Sequence, residues 1–308
     1  MDQGRHARWE LLRAREEVNP DGLRARAVAL HAIRSWFFDQ GYLEVPTPAL
    51  VRSAGMEEHL YPLPCADGFL RTSPEFALKR VVSAGLPRVY EIGPCFRDRE
   101  HGSWHGREFT MLEWYRVGAE LADLMDEVEQ LVQVTAAALG QSSPGPFVRT
   151  TIRHLFRQDG VDLATASARD IAAEDAWDDA FFRRWVERIE PGLKGAMIIE
   201  DWPASQAALA QVRDDGEWPV AQRFEVFLDG VELANAFLEL DDGAEQHSRF
   251  HEANALRAAH GEAPNPIDQP FLDAVAVLPP TAGIALGIDR LVAALTGSSG
   301  IESTRVPW

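Results

Sequence analysis

The first pattern of apolar and polar positions predicts a helix over residues 21–40. Its apolar residues recur at helical spacing and share one face: Leu23, Ala27, Leu30, Ile33, Trp36 and Phe37. Asp21 is the predicted N-cap, and Gly41 is predicted to end the helix. Residues 41–48 then predict a short strand at a sheet edge, because Pro46 and Pro48 stop it.

Further patterns follow along the chain. Residues 88–97 and 107–115 flank a polar loop and predict an antiparallel hairpin, and residues 119–139 predict a helix. An acidic, helix-rich stretch covers about residues 147–215, which we interpret as a helical insertion. Residues 283–288 predict a strand, followed by a helix from about residue 289.

A second hairpin is predicted around Asp229-Gly230, a strong two-residue turn signal. A regular ladder places Leu228 opposite Val231, Phe227 opposite Glu232, and Glu225 opposite Ala234. Glu225 and Glu232 then share a face, where a magnesium ion would relieve their repulsion. The alternative is a solvated sheet face.

Asn235, Phe237 and Glu239 alternate along the second strand of this hairpin, so they share a face that suits an ammonium-bearing ligand. Strict alternation along the strand puts these three side chains on the face of the sheet that Glu232 does not share. If all serve one pocket, a β-bulge near Leu233-Ala234 must shift the register. The alternative places Phe237 in the core, with the other two facing water.

The first hairpin carries a similar row. Phe109, Met111, Glu113 and Tyr115 share a face, and Arg97 ends the preceding strand. Arg97 is a candidate for holding an α-phosphate, although an isolated arginine there is more often a surface ion pair.

The final strand has a face almost without side chains. Gly283, Ala285 and Gly287 alternate, and Arg290 follows where the helix begins. The bare backbone admits either a ligand or a closely packed strand.

Composition narrows the class of protein. The 308 residues contain 30 Lys+Arg and 48 Asp+Glu, a net charge of −18, with 46% hydrophobic and 25% charged residues. These values exclude a disordered or collagen-like chain and disfavour an unaided nucleic-acid binder. Cys65 and Cys95 lack metal-ligand spacing, and neither a secretory signal nor a membrane span is apparent, so we expect a cytoplasmic protein.

In order, these pieces resemble the class II aminoacyl-tRNA synthetase catalytic domain, in its lysyl branch. Residues 41–48 with the preceding helix resemble motif 1, residues 96–109 resemble motif 2, and residues 283–290 resemble motif 3. The lysyl-type signatures are Thr72-Ser73-Pro74-Glu75, Glu108-Phe109-Thr110-Met111-Leu112-Glu113-Trp114-Tyr115 and Glu232-Leu233-Ala234-Asn235-Ala236-Phe237-Leu238-Glu239-Leu240. The resemblance implies an α+β fold, an antiparallel β-sheet flanked by helices, that dimerises through motif 1.

Only about twenty residues precede motif 1, so we expect an N-terminal extension (1–20), a catalytic domain (21–308) and no anticodon-binding domain. This truncation resembles the elongation factor P–lysine ligase family, which attaches β-lysine to a lysine of elongation factor P. The run Pro264-Asn265-Pro266-Ile267-Asp268-Gln269 and Ala285, where lysyl-tRNA synthetases carry glycine, are similar to that family too.

The resemblance also implies roles for individual residues. The amino-acid pocket would be lined by Ser73, Pro74, Glu75, Glu113, Tyr115, Asn235, Phe237, Glu239 and Ala285. The ATP site would comprise Arg97, Asp98, Arg99, His105, Phe109, Glu232, Leu233, Gly287 and Arg290, with Mg²⁺ on Glu225 and Glu232. Arg97 and Arg290 are the expected catalytic residues, Arg97 on the α-phosphate and Arg290 sandwiching adenine with Phe109.

Several positions depart from the family pattern. Asp98 and Arg99 replace Asn-Glu, Gly106-Arg107 replace Asn-Pro, and Ala236 replaces glycine. Arg99 either adds a phosphate contact or marks a relaxed site.

The leading hypothesis is therefore an ATP-dependent ligase that activates (β-)lysine as an adenylate and transfers it to elongation factor P. Two alternatives remain open: activation for another acceptor, such as a tRNA, a carrier protein or a small amine, and a non-catalytic regulatory paralogue. The acidic charge makes tRNA a poor partner, and a local basic patch involving Arg149, Arg153 or Arg157 is a candidate docking surface for an acidic protein.

Overall fold

The computed structural model describes residues 18–57, 60–172, 176–214 and 216–306. The predicted N-terminal extension lies outside these residues apart from positions 18–20. The helices are α1 (Pro20–Asp39), α2 (Glu75–Ser83), α3 (Leu121–Ala138), α4 (Ile152–Gln158), α5 (Ala168–Ile171), α6 (Trp177–Arg184), α7 (Gly243–Ala259), α8 (Gln269–Val275) and α9 (Ile288–Leu295). The strands are β1 (Leu43–Glu44), β2 (Leu50–Val51), β3 (Leu63–Cys65), β4 (Gly68–Leu70), β5 (Arg88–Phe96), β6 (Glu108–Val117), β7 (Val148–Thr151), β8 (Ala196–Pro203), β9 (Val212–Asp214), β10 (Pro219–Leu228), β11 (Val231–Leu238) and β12 (Thr281–Gly287).

Nine of the described strands form one central sheet. Their order is β1-β5-β6-β12-β11-β10-β8-β7, and β9 pairs with β10. Neighbours run antiparallel except β1 with β5 and β7 with β8. A small second sheet has the order β2-β4-β3. The predicted α+β architecture, an antiparallel sheet flanked by helices, is confirmed.

The start of α1 differs from the prediction. Asn19, not Asp21, caps the helix: its side-chain oxygen accepts a hydrogen bond of 3.2 Å from the Gly22 N–H. Asp21 lies in the first turn and pairs with Arg24 at the surface. Pro20 occupies the first helical position, where its fixed φ favours the helix. The predicted end is confirmed, since Gly41 follows with φ +75°.

One face of the central sheet packs against α1, α3 and α9. Residues that alternate along the strands, such as Leu112, Trp114, Ala236 and Ile284, are buried there in the largest apolar cluster. Because strand side chains alternate, the residues between them point to the opposite face. That second face is left for the site.

The stretch 147–215 holds α4, α5 and α6, but also β7, β8 and β9, which the sequence analysis did not predict. Strands β8 and β7 continue the central sheet beyond β10. The helices cover this part with a separate aromatic cluster, in which Phe156 stacks on Phe181 and Trp185 packs edge-on against Trp202. The insertion is therefore built onto the sheet.

The predicted basic patch is wrong. Arg149 pairs with Asp126, Arg153 with Asp162, and Arg157 with Asp162 as well. These three guanidinium groups are matched by nearby carboxylates, so they do not form a cationic surface. Among the described residues, no helix combines the length and the apolar character that crossing a bilayer requires.

Candidate active site

The free face of the central sheet lines a cavity of about 670 Å³. Strands β6, β12, β11 and β10 contribute its floor, and the β5–β6 loop and the start of α9 contribute its rim. The predicted site residues that line it are Ser73, Glu75, Arg97, His105, Phe109, Glu113, Tyr115, Glu225, Glu232, Leu233, Asn235, Phe237, Glu239, Ala285, Gly287 and Arg290. Residues far apart in the sequence thus meet at one place.

Three predicted site residues do not line this cavity. Pro74 lines a neighbouring cavity of about 450 Å³. Asp98 pairs with Arg107 at 2.9 Å, so two departures from the family pattern neutralise each other. Arg99 points to Glu262 (2.8 Å) and lies over the Tyr61 ring at 3.9 Å. The structure gives Asp98 and Arg99 ion-pair partners outside the expected ATP site.

A β-bulge in the β10–β11 hairpin brings two sets of side chains to the cavity. The Asp229-Gly230 turn and the pairs of Leu228 with Val231 and Phe227 with Glu232 are as predicted, but Val226 then pairs with Ala234. Leu233 is the extra residue. The regular register is therefore wrong from there on, and Glu225 lies opposite Asn235 instead of Ala234. The bulge that a shared pocket required is confirmed.

Glu113 lies on the cavity floor at the centre of β6. Its carboxylate accepts hydrogen bonds from the hydroxyl groups of Ser73 (2.5 Å) and Tyr115 (2.6 Å). Burial, reinforced by the charge of Glu75, raises the pKa of Glu113 to about 8. A cationic ligand would offset this cost because it favours the ionised carboxylate.

Two further carboxylates share one internal cation. The ammonium group of Lys79 lies 2.6 Å from Glu75 and 2.5 Å from Glu239, and Lys79 and Glu239 are each 1% exposed. Burial raises the pKa of Glu239 to about 8, although Lys79 opposes this. Burial lowers the pKa of Lys79, but Glu239 and Glu75 outweigh it, and the net direction is upward. One cation therefore serves two of the carboxylates that line the cavity.

Arg97 follows β5 directly and lines the cavity. Its contacts are long, 3.4 Å to the Thr72 carbonyl and 3.5 Å to Glu100. Its guanidinium carbon lies 5.1 Å from the centre of the Phe109 ring. These weak contacts leave its donors available for an anion.

Arg290 is held firmly at the start of α9. It donates to the Trp104 carbonyl (3.0 Å) and to the Glu232 carbonyl (3.0 Å) and carboxylate (3.2 Å), and it lies 2.7 Å from the His105 ring nitrogen. Burial and the Arg290 charge lower the pKa of His105, so its imidazole is neutral and accepts from Arg290. The arginine is fixed across the cavity rim.

Glu225 and Glu232 both line the cavity below Arg290. Burial raises the pKa of Glu225 to about 8; Arg223 opposes this rise, and Glu232 adds to it. Arg223 also donates to Asn235 at 3.2 Å. No cluster of three or more His, Cys, Asp or Glu side chains in the described part of the chain is suited to a metal ion. Glu225 and Glu232 therefore remain only two candidate ligands, so the predicted Mg²⁺ would need further ligands from phosphate oxygens and water.

The bare face of β12 is filled mainly by the protein's own side chains. A Cβ atom on Gly283 would lie 2.3 Å from Glu239 Oε1 and 2.3 Å from the Tyr115 ring. Ala285 pairs with Asn235 on one side and Glu113 on the other, so its methyl group lies between two predicted pocket residues. Gly287 is more open, because a Cβ atom there would lie 3.7 Å from the nearest atoms of Arg290.

The cavity or near-cavity side chains that sequence reasoning missed include Glu57, Lys79, Phe182 and Arg223. The spacing of Lys79 four residues after Glu75 was a usable signal, since such residues lie on one helix face. Arg223 was detectable as the alternate neighbour of Glu225. Glu57 and Phe182 carried no pattern, because a loop and the insertion bring them to the cavity.

Comparison with known proteins identifies the family of this chain. A family model described as tRNA synthetases class II (D, K and N) matches residues 2–306. The chain is 38% identical to an elongation factor P–(R)-β-lysine ligase of Vibrio parahaemolyticus, with 91% of this chain and 93% of the relative covered. Ligases of the same name from Vibrio atlanticus (37% identity; 91% and 93% covered) and Salmonella typhi (38%; 90% and 91%) are similar. The chain therefore belongs to the class II tRNA synthetase (D, K and N) family and, within it, to the elongation factor P–(R)-β-lysine ligases.

Proposed function

We propose that this protein activates (R)-β-lysine with ATP and transfers it to a lysine side chain of elongation factor P. The observation that carries the proposal is the division of one cavity into two ends. Buried carboxylates, Glu75, Glu113 and Glu239, gather around Lys79 and Ser73. Arg290 stands with Glu232 and His105, and Arg97 lies beside the Thr72 carbonyl between these two groups of residues. The carboxylate end suits a diamino acid, and the arginine end suits a triphosphate.

In the first step, the carboxylate oxygen of the amino acid attacks the α-phosphorus of ATP, and the bond to the β-phosphate oxygen breaks. The products are an aminoacyl adenylate and pyrophosphate. Arg97 holds the α-phosphate and stabilises its developing charge, and Arg290 with Phe109 holds the adenine. Positioning the two reactants in line accounts for much of the rate.

Glu225 and Glu232 are the proposed holders of Mg²⁺ that arrives with ATP. The bound ion would neutralise phosphate charge during the displacement. Arg223, which contacts Glu225, keeps that carboxylate aligned with Asn235.

In the second step, the ε-amine of the acceptor lysine attacks the adenylate carbonyl. An amide bond forms, the bond to the phosphate oxygen breaks, AMP leaves, and the amine loses its proton. We propose that this occurs in the cytoplasm, where the acceptor is a translation factor.

Pyrophosphate exchange tests the first step. With ATP and Mg²⁺, exchange should depend on (R)-β-lysine more strongly than on (S)-β-lysine or α-lysine, and Arg97→Ala should abolish it. Loss of exchange without loss of nucleotide binding would assign the defect to chemistry. A wild-type chain without exchange on any lysine isomer would instead favour a regulatory paralogue.

Transfer of labelled β-lysine to elongation factor P tests the second step. The chain contains only two lysines, Lys79 and Lys194. Lys79 is buried and Lys194 is exposed, so a Lys194→Arg variant removes the exposed internal acceptor and its background label. Label on elongation factor P supports the proposal, and label on a tRNA or a carrier protein would refute the acceptor.

We also propose a homodimer formed through α1 and the following strands. Phe38, Leu43 and Leu50 are 81%, 51% and 47% exposed, an unusual run of bare apolar side chains. In sedimentation experiments, the wild type should be a dimer. The Phe38→Glu variant should shift towards the monomer. A wild-type monomer at all concentrations would exclude the dimer.

A further inference from the structure

Glu57 is a cavity carboxylate to which neither the comparisons nor the motifs give a role. It lies in the loop after β2 and reaches the cavity beside Ser73 and Glu75. Its carboxylate accepts a 3.2 Å hydrogen bond from the Met56 N–H. Within the described part of the chain it forms no ion pair. Burying a carboxylate without an ion-pair partner costs free energy unless a bound ligand supplies the opposite charge.

The carboxylates around Ser73 and Lys79, at the proposed amino-acid end of the cavity, outnumber the cations there. Four carboxylates lie there: Glu57, Glu75, Glu113 and Glu239. Lys79 is shared by Glu75 and Glu239, and Glu113 receives only neutral hydroxyl donors. Two carboxylates, Glu57 and Glu113, are therefore without a cation among the described residues, and a diamino acid brings two ammonium groups.

The electrostatic neighbours of Glu57 indicate which ammonium it would take. Burial and then Glu75 raise the pKa of Glu57, and Arg97 lowers it. The corresponding neighbours of Glu113 are Glu75 and Lys79, at the deep end. The geometry agrees: a Cβ atom on Gly55 would lie 3.2 Å from Glu57 Oε2 and 2.8 Å from Thr72 Oγ1, and Arg97 donates to the Thr72 carbonyl at 3.4 Å. Glu57 is thus the unpaired carboxylate close to Thr72 and Arg97, where the reacting carboxyl group of the substrate is proposed to lie.

We infer that Glu57 binds the substrate ammonium group nearest the reacting carboxyl, while Glu113 binds the distal one. This inference rests on the proposed function and adds a specificity-determining residue to it. If Glu57 has this role, its replacement should weaken some substrates more than others, according to where their amines lie. Replacement of a purely structural residue would weaken them all alike.

Two analogues of β-lysine separate the two ammonium sites. 3-Aminohexanoate keeps only the proximal amine, and 6-aminohexanoate keeps only the distal amine. Both are measured as inhibitors of β-lysine-dependent pyrophosphate exchange. Glu57→Gln should weaken (R)-β-lysine and 3-aminohexanoate by about 10- to 100-fold, the range for one lost charged hydrogen bond, and leave 6-aminohexanoate within about twofold.

Two further variants control this result. Glu57→Asp keeps the charge and should recover part of the affinity, and Asp67→Asn removes a charge at the exposed β3–β4 turn and should change nothing. Equal losses for both analogues, or no loss for either, would overturn the role of Glu57. If the wild type shows no exchange, the proposed function fails; calorimetric titration with β-lysine then tests Glu57 directly, and equal affinity in wild type and Glu57→Gln overturns it.

Discussion

At the scale of single residues, Gly283 controls how closely the pocket side chains approach each other. A methyl group there would overlap both the Tyr115 ring and Glu239. We predict that Gly283→Ala lowers the free energy of unfolding by about 1–3 kcal/mol, as overpacking does, and raises the KM for the amino acid. Urea unfolding and exchange kinetics measure the two effects.

Gly287→Ala is the matched control in the same strand. The nearest atoms to its added methyl group belong to Arg290 at 3.7 Å, an ordinary contact distance. Its free energy of unfolding should stay close to that of the wild type. A similar loss in both variants would attribute the effect to backbone flexibility and not to the pocket.

Lys79 is the second residue whose replacement has a predictable sign. In Lys79→Met, Glu75 and Glu239 lose their shared cation, and removing one partner of a buried pair costs about 3–5 kcal/mol. The loss should be largest above the raised pKa of Glu239, about 8, and smaller at acidic pH, where the carboxyl groups are protonated. Urea unfolding at both pH values measures this difference.

Lys194→Met serves as the control, because this exposed lysine lies outside the cavity. It should leave stability nearly unchanged at either pH. If Lys79→Met lost the same free energy at acidic and alkaline pH, packing of the aliphatic chain would explain the effect, and charge would not.

At the scale of elements, the start of α1 is set by the side-chain oxygen of Asn19. Replacing Asn19 with alanine removes the cap and should cost about 1 kcal/mol, within the range for such caps. Asp21→Ala should cost less, since its exposed pair with Arg24 contributes little. Thermal unfolding of both variants measures the ranking, and a larger loss in Asp21→Ala would restore the original cap prediction.

The two hairpins show how far sequence reasoning reaches at this scale. Alternation and the Asp229-Gly230 turn predicted both hairpins and the faces of Glu113 and Tyr115. A regular ladder gave the wrong partner for Glu225, because a bulge leaves no mark in local propensity. Only the demand that Asn235 share a pocket with the other residues pointed to it.

Tertiary contacts account for the remaining differences. Strand β8 lies inside a helix-rich stretch, and it is stabilised as a strand by its ladder with β10, a long-range contact. Arg99 was assigned to ATP from its place within motif 2, but it pairs instead with Glu262, which is distant in the sequence. Such pairings depend on residues that no local pattern connects.

At the scale of the whole molecule, the fold separates stability from function by the two faces of one sheet. One face packs with α1, α3 and α9 into the apolar core. The other face carries carboxylates that the fold buries without matching cations, with Lys79 and Arg223 offsetting part of the charge. We therefore expect these carboxylates to bind the ammonium groups of a cationic substrate, and this binding energy to orient its reacting carboxyl group.

This arrangement predicts how stability depends on pH. Burial raises the pKa of Glu113, Glu225 and Glu239 to about 8, from an ordinary value of 4.5. Carboxyl groups whose pKa is higher in the folded state add stability below the unfolded value and lose it as pH rises through the folded value. The free energy of unfolding should therefore fall between about pH 5 and pH 8.

Over the same window the affinity for a diamino acid should rise, because the ionised carboxylates bind its ammonium groups. Urea unfolding across this range, repeated at high salt to screen the repulsion of the acidic surface, isolates the buried groups. A Glu225→Gln variant should flatten the remaining slope, and stability that increased with pH through this window would contradict the burial of these carboxylates.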